Sequence, residues 1–256
     1  PLFELSSELI AEERPTLTGD RLDDGATREL LAMARESQPE AITREALKML
    51  KSGVSVRSCW DAVVLCGAEI VLRDAAGDRH GMDRLTPSAI GIHQVDTANG
   101  LRLISENTKD ETTKALCVCQ ALTWMPYFIR SARFASRKPS VAIDELEPSR
   151  RTPETLEDIF TATERDHLEA GRRALAWILE GRSIEELKMR SLDLATRKFS
   201  DPHHFKFPVA LFEEASLASP RWRPVLLATH AMYGKLEADP DWPMLADVRD
   251  AIATLR

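Results

Sequence analysis

The sequence predicts an all-α fold: a multi-helix single domain with orthogonal or bundle-like packing. Three observations carry that prediction. Apolar residues recur every three or four positions through most of the 256 residues, the period of a half-buried helix. Helix-start residues punctuate the chain, as at Asp24-Gly25-Ala26-Thr27, Pro39-Glu40-Ala41 and Thr152-Pro153-Glu154. Strand-like alternation is confined to a short stretch around Val141 to Ile143.

Taken in order, Asp24 opens a helix carrying Leu30, Leu31 and Met33. Pro39 opens the next, which stops near Ser52-Gly53, where glycine suits a helix end. A longer helix runs from Ser55 to Asp74, with Val56, Trp60, Val63, Val64, Gly67, Ile70 and Val71 at helical spacing. Asp74 to Leu85 reads as a polar loop. A helix then begins near Thr86-Pro87 or at His93 and continues to Glu106. Glu111 to about Arg133 is the most apolar helix, expected at the centre of the core, with Pro126 expected to kink or break it. Residues 134–152 are linker-like, and a subdomain boundary would fall there if the 1–256 domain were divided. Further helices are expected over Pro153–Glu180, Ser183–Arg197, His203–Leu217, Pro220–Leu236 and Trp242–Leu255.

Composition excludes several classes. A formal net charge of −7 opposes a dedicated nucleic-acid binder, which needs a basic surface. No apolar run reaches the roughly 18–20 residues of a membrane span. Pro1-Leu2-Phe3-Glu4-Leu5 has neither the basic nor the apolar segment of a secretory signal. Cys59, Cys66, Cys117 and Cys119 lie in apolar helical patterns and read as buried, reduced thiols, so a cytoplasmic location is expected. Cys117 and Cys119 sit two apart on a helix and point to different faces, which opposes joint metal ligation. Phosphate-binding glycine loops, Gly-x-Ser-x-Gly, His-Glu-x-x-His and paired Glu-x-x-His are absent, which disfavours hydrolase, kinase and ferritin-like readings.

Chemistry is concentrated in the histidines, of which the chain has six. In Asp201-Pro202-His203-His204-Phe205-Lys206-Phe207, His203 and Lys206 share a helix face. The apolar flanks suggest that this face is partly buried, where a lysine ammonium is costly unless paired, deprotonated or modified. His204 points about 100° away, so only one of the two histidines is expected to join Lys206. His93 has Asp96 and Thr97 three and four residues on, placed to orient its imidazole as a metal ligand or general base. The competing reading makes His93 and His203 simple helix-start residues. His167 sits in a charged stretch, facing solvent unless Ala170, Ala174 and Trp177 turn its face inward. His80 and His230 read as structural, and Glu69 as a metal ligand or a buried ion-pair partner.

Three segments also carry a resemblance. Trp60-Asp61-Ala62-Val63-Val64-Leu65, then Gly91-Ile92-His93-Gln94-Val95-Asp96-Thr97-Ala98-Asn99-Gly100-Leu101, then His203-His204-Phe205-Lys206-Phe207 resemble questin oxidase-like proteins. They look closer still to bacterial relatives that read Trp-Asp-Ala-x-His-Leu, His-x-Val-Thr-x-x-Asn-Ala-Leu and His-Asp-Tyr-Lys-Phe. The likeness spans about Val56 to Leu236. It implies a helical oxygenase for polycyclic aromatic substrates, with a non-heme iron site of several histidines and a carboxylated lysine. His93 and His203 would then be metal ligands and Lys206 the modified lysine, with O₂ as cosubstrate. This chain departs from the pattern at Val64, Asp96 and His204, where the relatives carry histidine, threonine and aspartate. The ligand set is therefore either rebuilt or lost.

The expectation is a metal-dependent oxidoreductase, an iron oxygenase acting on an apolar or aromatic small molecule. His93, His203 and Lys206 hold the metal, His167 and His204 stand in reserve, and Asp96 assists or replaces a ligand. The alternatives are a helical binding or interaction domain without chemistry, and a cofactor-free enzyme with His93 as base.

Overall fold

A computed structural model describes residues 2–75, 87–132, 142–163, 166–198, 202–233 and 237–254. Among these residues all regular structure is helical: α1 (Leu2–Glu13), α2 (Asp24–Glu36), α3 (Pro39–Lys51), α4 (Val56–Ala75), α5 (Pro87–Asn107), α6 (Glu111–Ser131), α7 (Leu156–Thr163), α8 (His167–Leu179), α9 (Ile184–Arg197), α10 (His203–Leu217), α11 (Arg223–Thr229) and α12 (Leu245–Thr254). Single 3₁₀ turns occur at Ile143–Glu145 and His230–Met232. The all-α prediction holds. One hydrophobic core runs from Leu9 to Met232, so helices on both sides of 134–152 share it.

Local chemistry explains most helix starts. Asp23, Asp110, Asp166 and Ser183 each accept a hydrogen bond from a backbone N–H in the first turn of α2, α6, α8 and α9. Pro39 and Pro224 open α3 and α11, where a missing N–H costs nothing. Gly53 ends the α3 connection at φ 87°, a left-handed conformation that glycine adopts without steric cost.

The centre of the core is α4 rather than α6. Every residue from Ser58 to Leu72 is buried, whereas α6 leaves Tyr127 exposed. The buried Ser58, Asp61 and Glu69 of α4 all meet partners, as burial demands. Ser58 accepts from the Asp23 N–H and Asp61 from the Ser219 N–H. Glu69 takes a two-pronged bond from Arg35 (2.9 and 2.5 Å), pairs with Arg73 and accepts from the Ile143 N–H at 3.2 Å. Of the two roles the sequence left open for Glu69, ion-pair partner is the one realised. It pins the 143–145 turn to α2 and α4, where Asp144 also pairs with Arg35 at 2.5 Å.

The helix α5 crosses α4 at a glycine contact. A Cβ on Gly91 would lie 2.7 Å from the Gly67 carbonyl oxygen, and one on Gly67 would lie 2.8 Å from Val95 Cγ2. The backbones therefore touch, which fixes how deep α5 sits and, two residues later, where His93 emerges. Next, α10 packs on α5, α9 on α10, and α8 on α7 and α11.

Several expectations need correcting. Leu2–Glu13 is a helix that the sequence did not announce. Of the kink or break expected at Pro126, the break does not occur, since α6 continues through it to Ser131. The helix expected over Pro153–Glu180 is two, because Asp166 is extended (φ −151°, ψ 99°) and caps Glu169 to begin α8 afresh. Pro220–Leu236 shortens to α11 plus a 3₁₀ turn, and α12 starts at Leu245 rather than Trp242, whose N–H bonds to the Arg197 carbonyl at 2.7 Å. Ile143 heads a 3₁₀ turn instead of a strand. The loop expected over Asp74–Leu85 lies mostly outside the described residues; His80 and residues 134–141 lie outside them entirely.

Candidate functional site

Two of the predicted residues meet. His93 projects from α5 and His203 is the first residue of α10, and their Nε2 atoms lie 3.4 Å apart. The rings are edge to face, with centroids 5.0 Å apart and an interplanar angle of 84°. Proximity alone has two chemical meanings. One imidazole can donate Nε2–H to the other, or both lone pairs can face one cation.

Asp96 and Lys206 stand one turn further along the same two helices. Asp96 is half-buried, and burial pushes its carboxyl above the ordinary carboxylate range. The positive charges of Lys206, His93 and His203 beside it act the other way. Lys206 is exposed, with Phe205 before it exposed and Phe207 after it buried. The partly buried lysine inferred from its apolar flanks is therefore a solvated one, and burial supplies no reason for it to be carboxylated.

The remaining candidates lie elsewhere. His204 turns inward and stacks on Tyr233, with ring centroids 5.5 Å apart and 19° between planes. His167 is the first residue of α8, half-buried, on a helix that packs against α7 and α11. His230 is structural as expected: it is buried, bonded through Nδ1 to the Leu227 carbonyl, and held neutral to about 4 by burial. All four cysteines are buried and free, and burial raises their thiols. A separate polar hollow, lined by Arg151, Thr152, Pro153, Glu154, Asp158 and Arg173, contains none of the predicted residues.

Below the histidines the α5–α10 contact stays polar. Asn99 Nδ2 donates to Glu213 Oε2 and to Glu214 Oε1, each at 3.1 Å. Arg102 pairs with Glu214 at 2.7 Å, both side chains almost fully buried, and lies over the Trp60 ring of α4 at 5.4 Å. Burial raises the Glu214 and Asp61 carboxyls, while Arg102 between them lowers both. Arg102 and Glu214 were not singled out from the sequence. The signal was present: His93, Asp96, Asn99 and Arg102 recur every third residue along one helix. Such a row is inclined to the helix axis, so it winds around α5 as α10 crosses it.

No family model, curated protein or solved structure matches the chain.

Function must therefore be judged from the site. A tetrahedral ion held by two imidazoles at 2.0–2.1 Å places their nitrogens about 3.3–3.4 Å apart. The His93–His203 spacing fits two positions on one ion. The reserve ligands His204 and His167 are not brought to the pair: His204 stacks on Tyr233, and His167 begins α8, which packs against α7 and α11. Among the described residues no group of three or more His, Cys, Asp or Glu side chains is arranged to hold a metal. Nor is any helix among them long and apolar enough to cross a membrane.

Proposed function

We propose that His93 and His203 hold a transition-metal ion and that the chain is a metal-dependent oxidoreductase. In the specific form suggested by the questin oxidase-like resemblance it is an iron oxygenase using O₂ on an apolar or aromatic small molecule. The observation that supports this reading is the 3.4 Å Nε2–Nε2 separation between side chains from different helices. Bound there, the ion supplies a redox-active, Lewis-acidic centre whose coordination is left largely open by a two-histidine hold.

The chain's own residues have distinct tasks. His93 and His203 bind through Nε2 as neutral imidazoles. Asp96, whose carboxyl feels the charge of both imidazoles, orients an imidazole or accepts a proton from bound substrate. Lys206 offers an exposed positive charge beside the pair, and its carboxylation rests on the resemblance alone. Four buried, unpaired cysteines support a reducing, cytoplasmic setting.

Metal analysis of protein purified without a histidine tag tests the reading. Reconstitution with Fe(II), Co(II) or Zn(II) should load about one ion per chain, and His93→Ala or His203→Ala should reduce affinity at least about tenfold. Retention of less than about 0.1 ion per chain would sink the metal reading. The same imidazole contact favours one other reading, cofactor-free chemistry with His93 as base and His203 orienting it. That version predicts turnover that survives exhaustive chelation.

A further inference from the structure

We propose that Asn99, with the Glu214–Arg102 ion pair behind it, is a positioning lock that sets the register of α10 on α5 and so presents His203 to His93. The inference takes its metal readout from the function proposed above but stands on separate geometry. Asn99 on α5 hydrogen-bonds two successive side chains of α10. An amide reaching two carboxylates at 3.1 Å each accepts one axial position of α10 and no other.

Arg102, one turn further along α5, holds the other oxygen of the same carboxylate. Its guanidinium is 2.7 Å from Glu214 Oε2 and lies over Trp60, so Glu214 is gripped by two residues of α5, one of them braced on α4. Glu213 is exposed and can follow a shift of α10, whereas Glu214 is fully buried and cannot. Asn99 is six residues from His93, about 9 Å along α5 at 1.5 Å per residue. Over that distance a helix is stiff, and a slip at Asn99 moves the His93–His203 contact by nearly as much. The pair has no slack: metal-ligand spacings tolerate about 0.2 Å.

The test uses the full chain carrying Asn99→Ala, a half-buried position, with folding verified by a parent-like circular dichroism spectrum. Two quantities are read: Co(II) affinity by calorimetry, and the nuclear Overhauser contact between the His93 and His203 rings in metal-free protein. The expected result is an affinity loss of about tenfold to a hundredfold and loss of the ring contact. Ser149→Ala, which removes a comparable hydrogen bond to Glu169 far along the chain, should change neither. Parent affinity with the ring contact intact in Asn99→Ala overturns the lock, as does a wild-type chain without the contact. A wild-type chain that shows the contact, loses it in Asn99→Ala and binds no Co(II) sinks the metal reading and leaves the lock standing.

Discussion

The glycine crossing of α4 and α5 makes a prediction in which one chemical change, on one helix, has opposite signs at two positions. In Gly91→Ala the new methyl would sit 2.7 Å from the Gly67 carbonyl oxygen and 3.0 Å from Ile70 Cβ and Cγ2. The first is backbone and the second is a β-branched side chain inside a buried helix, so neither can turn aside. The helices must part by about 0.5 Å, and overpacking of that kind costs about 1–3 kcal/mol. Helix propensity returns about 1 kcal/mol for replacing glycine by alanine. With backbone and a β-branched side chain of α4 both in the way, the upper half of the range applies, giving a net loss of about 1–2 kcal/mol. Gly100 lies nine residues further along α5 with nothing within 4 Å of its added Cβ, so Gly100→Ala keeps the propensity gain of about 1 kcal/mol. The two variants should differ by about 2–3 kcal/mol, which for this chain length is about 4–12 °C in thermal midpoint by circular dichroism. Gly91→Ala should also weaken metal binding, because His93 rides on the displaced turn. A Gly91→Ala midpoint at or above the parent's would refute the close crossing, and with it the account of how α5 is seated.

Two further perturbations probe buried charge. His230 titrates near 4 in the folded chain against 6.5 in the unfolded one. The unfolded state therefore binds the extra proton first, and stability falls as pH drops from about 6.5 to about 4, by up to about 3 kcal/mol. Asp61 and Glu214, raised by burial, act with the opposite sign, so the quantity to measure is the slope of urea stability against pH in His230→Phe minus that in the parent. Equal slopes would show that His230 is not held neutral. Glu69→Ala takes a buried carboxylate from Arg35, which keeps Asp144, and from Arg73, and should cost about 3 kcal/mol, the low end for a broken buried pair. It should also speed amide exchange at Ile143, whose N–H loses its acceptor; unchanged exchange there would mean that Glu69 does not anchor the 143–145 turn.

Helical period and capping chemistry made much of the fold legible. The starts of α2, α3, α6 and α10 fall where Asp24, Pro39, Glu111 and His203 place them. What the sequence concealed was set by tertiary contacts. Asp166 in a charged run looks helical until its side chain is seen capping the N–H of Glu169. Spacing shows that His203 and His204 diverge by about 100°, but not which one faces inward. Packing against Tyr233 decides it for His204. Lys206 is the sharper lesson, because apolar neighbours on either side say nothing about the face a helical residue itself occupies. The meeting of His93 with His203 is long-range, across 110 residues, and no local pattern encodes it.

The polar character of the α5–α10 contact is hard to explain as a source of stability. Buried pairs such as Arg102–Glu214 lose so much hydration that well-packed apolar replacements are commonly neutral or better by about 1–4 kcal/mol. Burying Asp61 beside the pair adds a further charge that leucine or methionine would avoid. What these groups supply is direction. Apolar surfaces slide past one another with little change in energy, whereas an amide bonded to two carboxylates and a guanidinium fixed over an indole define one register. Most helix pairs can absorb a fraction of an ångström of slip. Two imidazoles sharing one ion, as proposed for His93 and His203 at 3.4 Å, cannot, and they sit at the end of this same stripe. On that proposal the costly pair at Arg102 and the imidazole pair at His93 are two ends of one device, and the stripe between them is the reason to look for chemistry there.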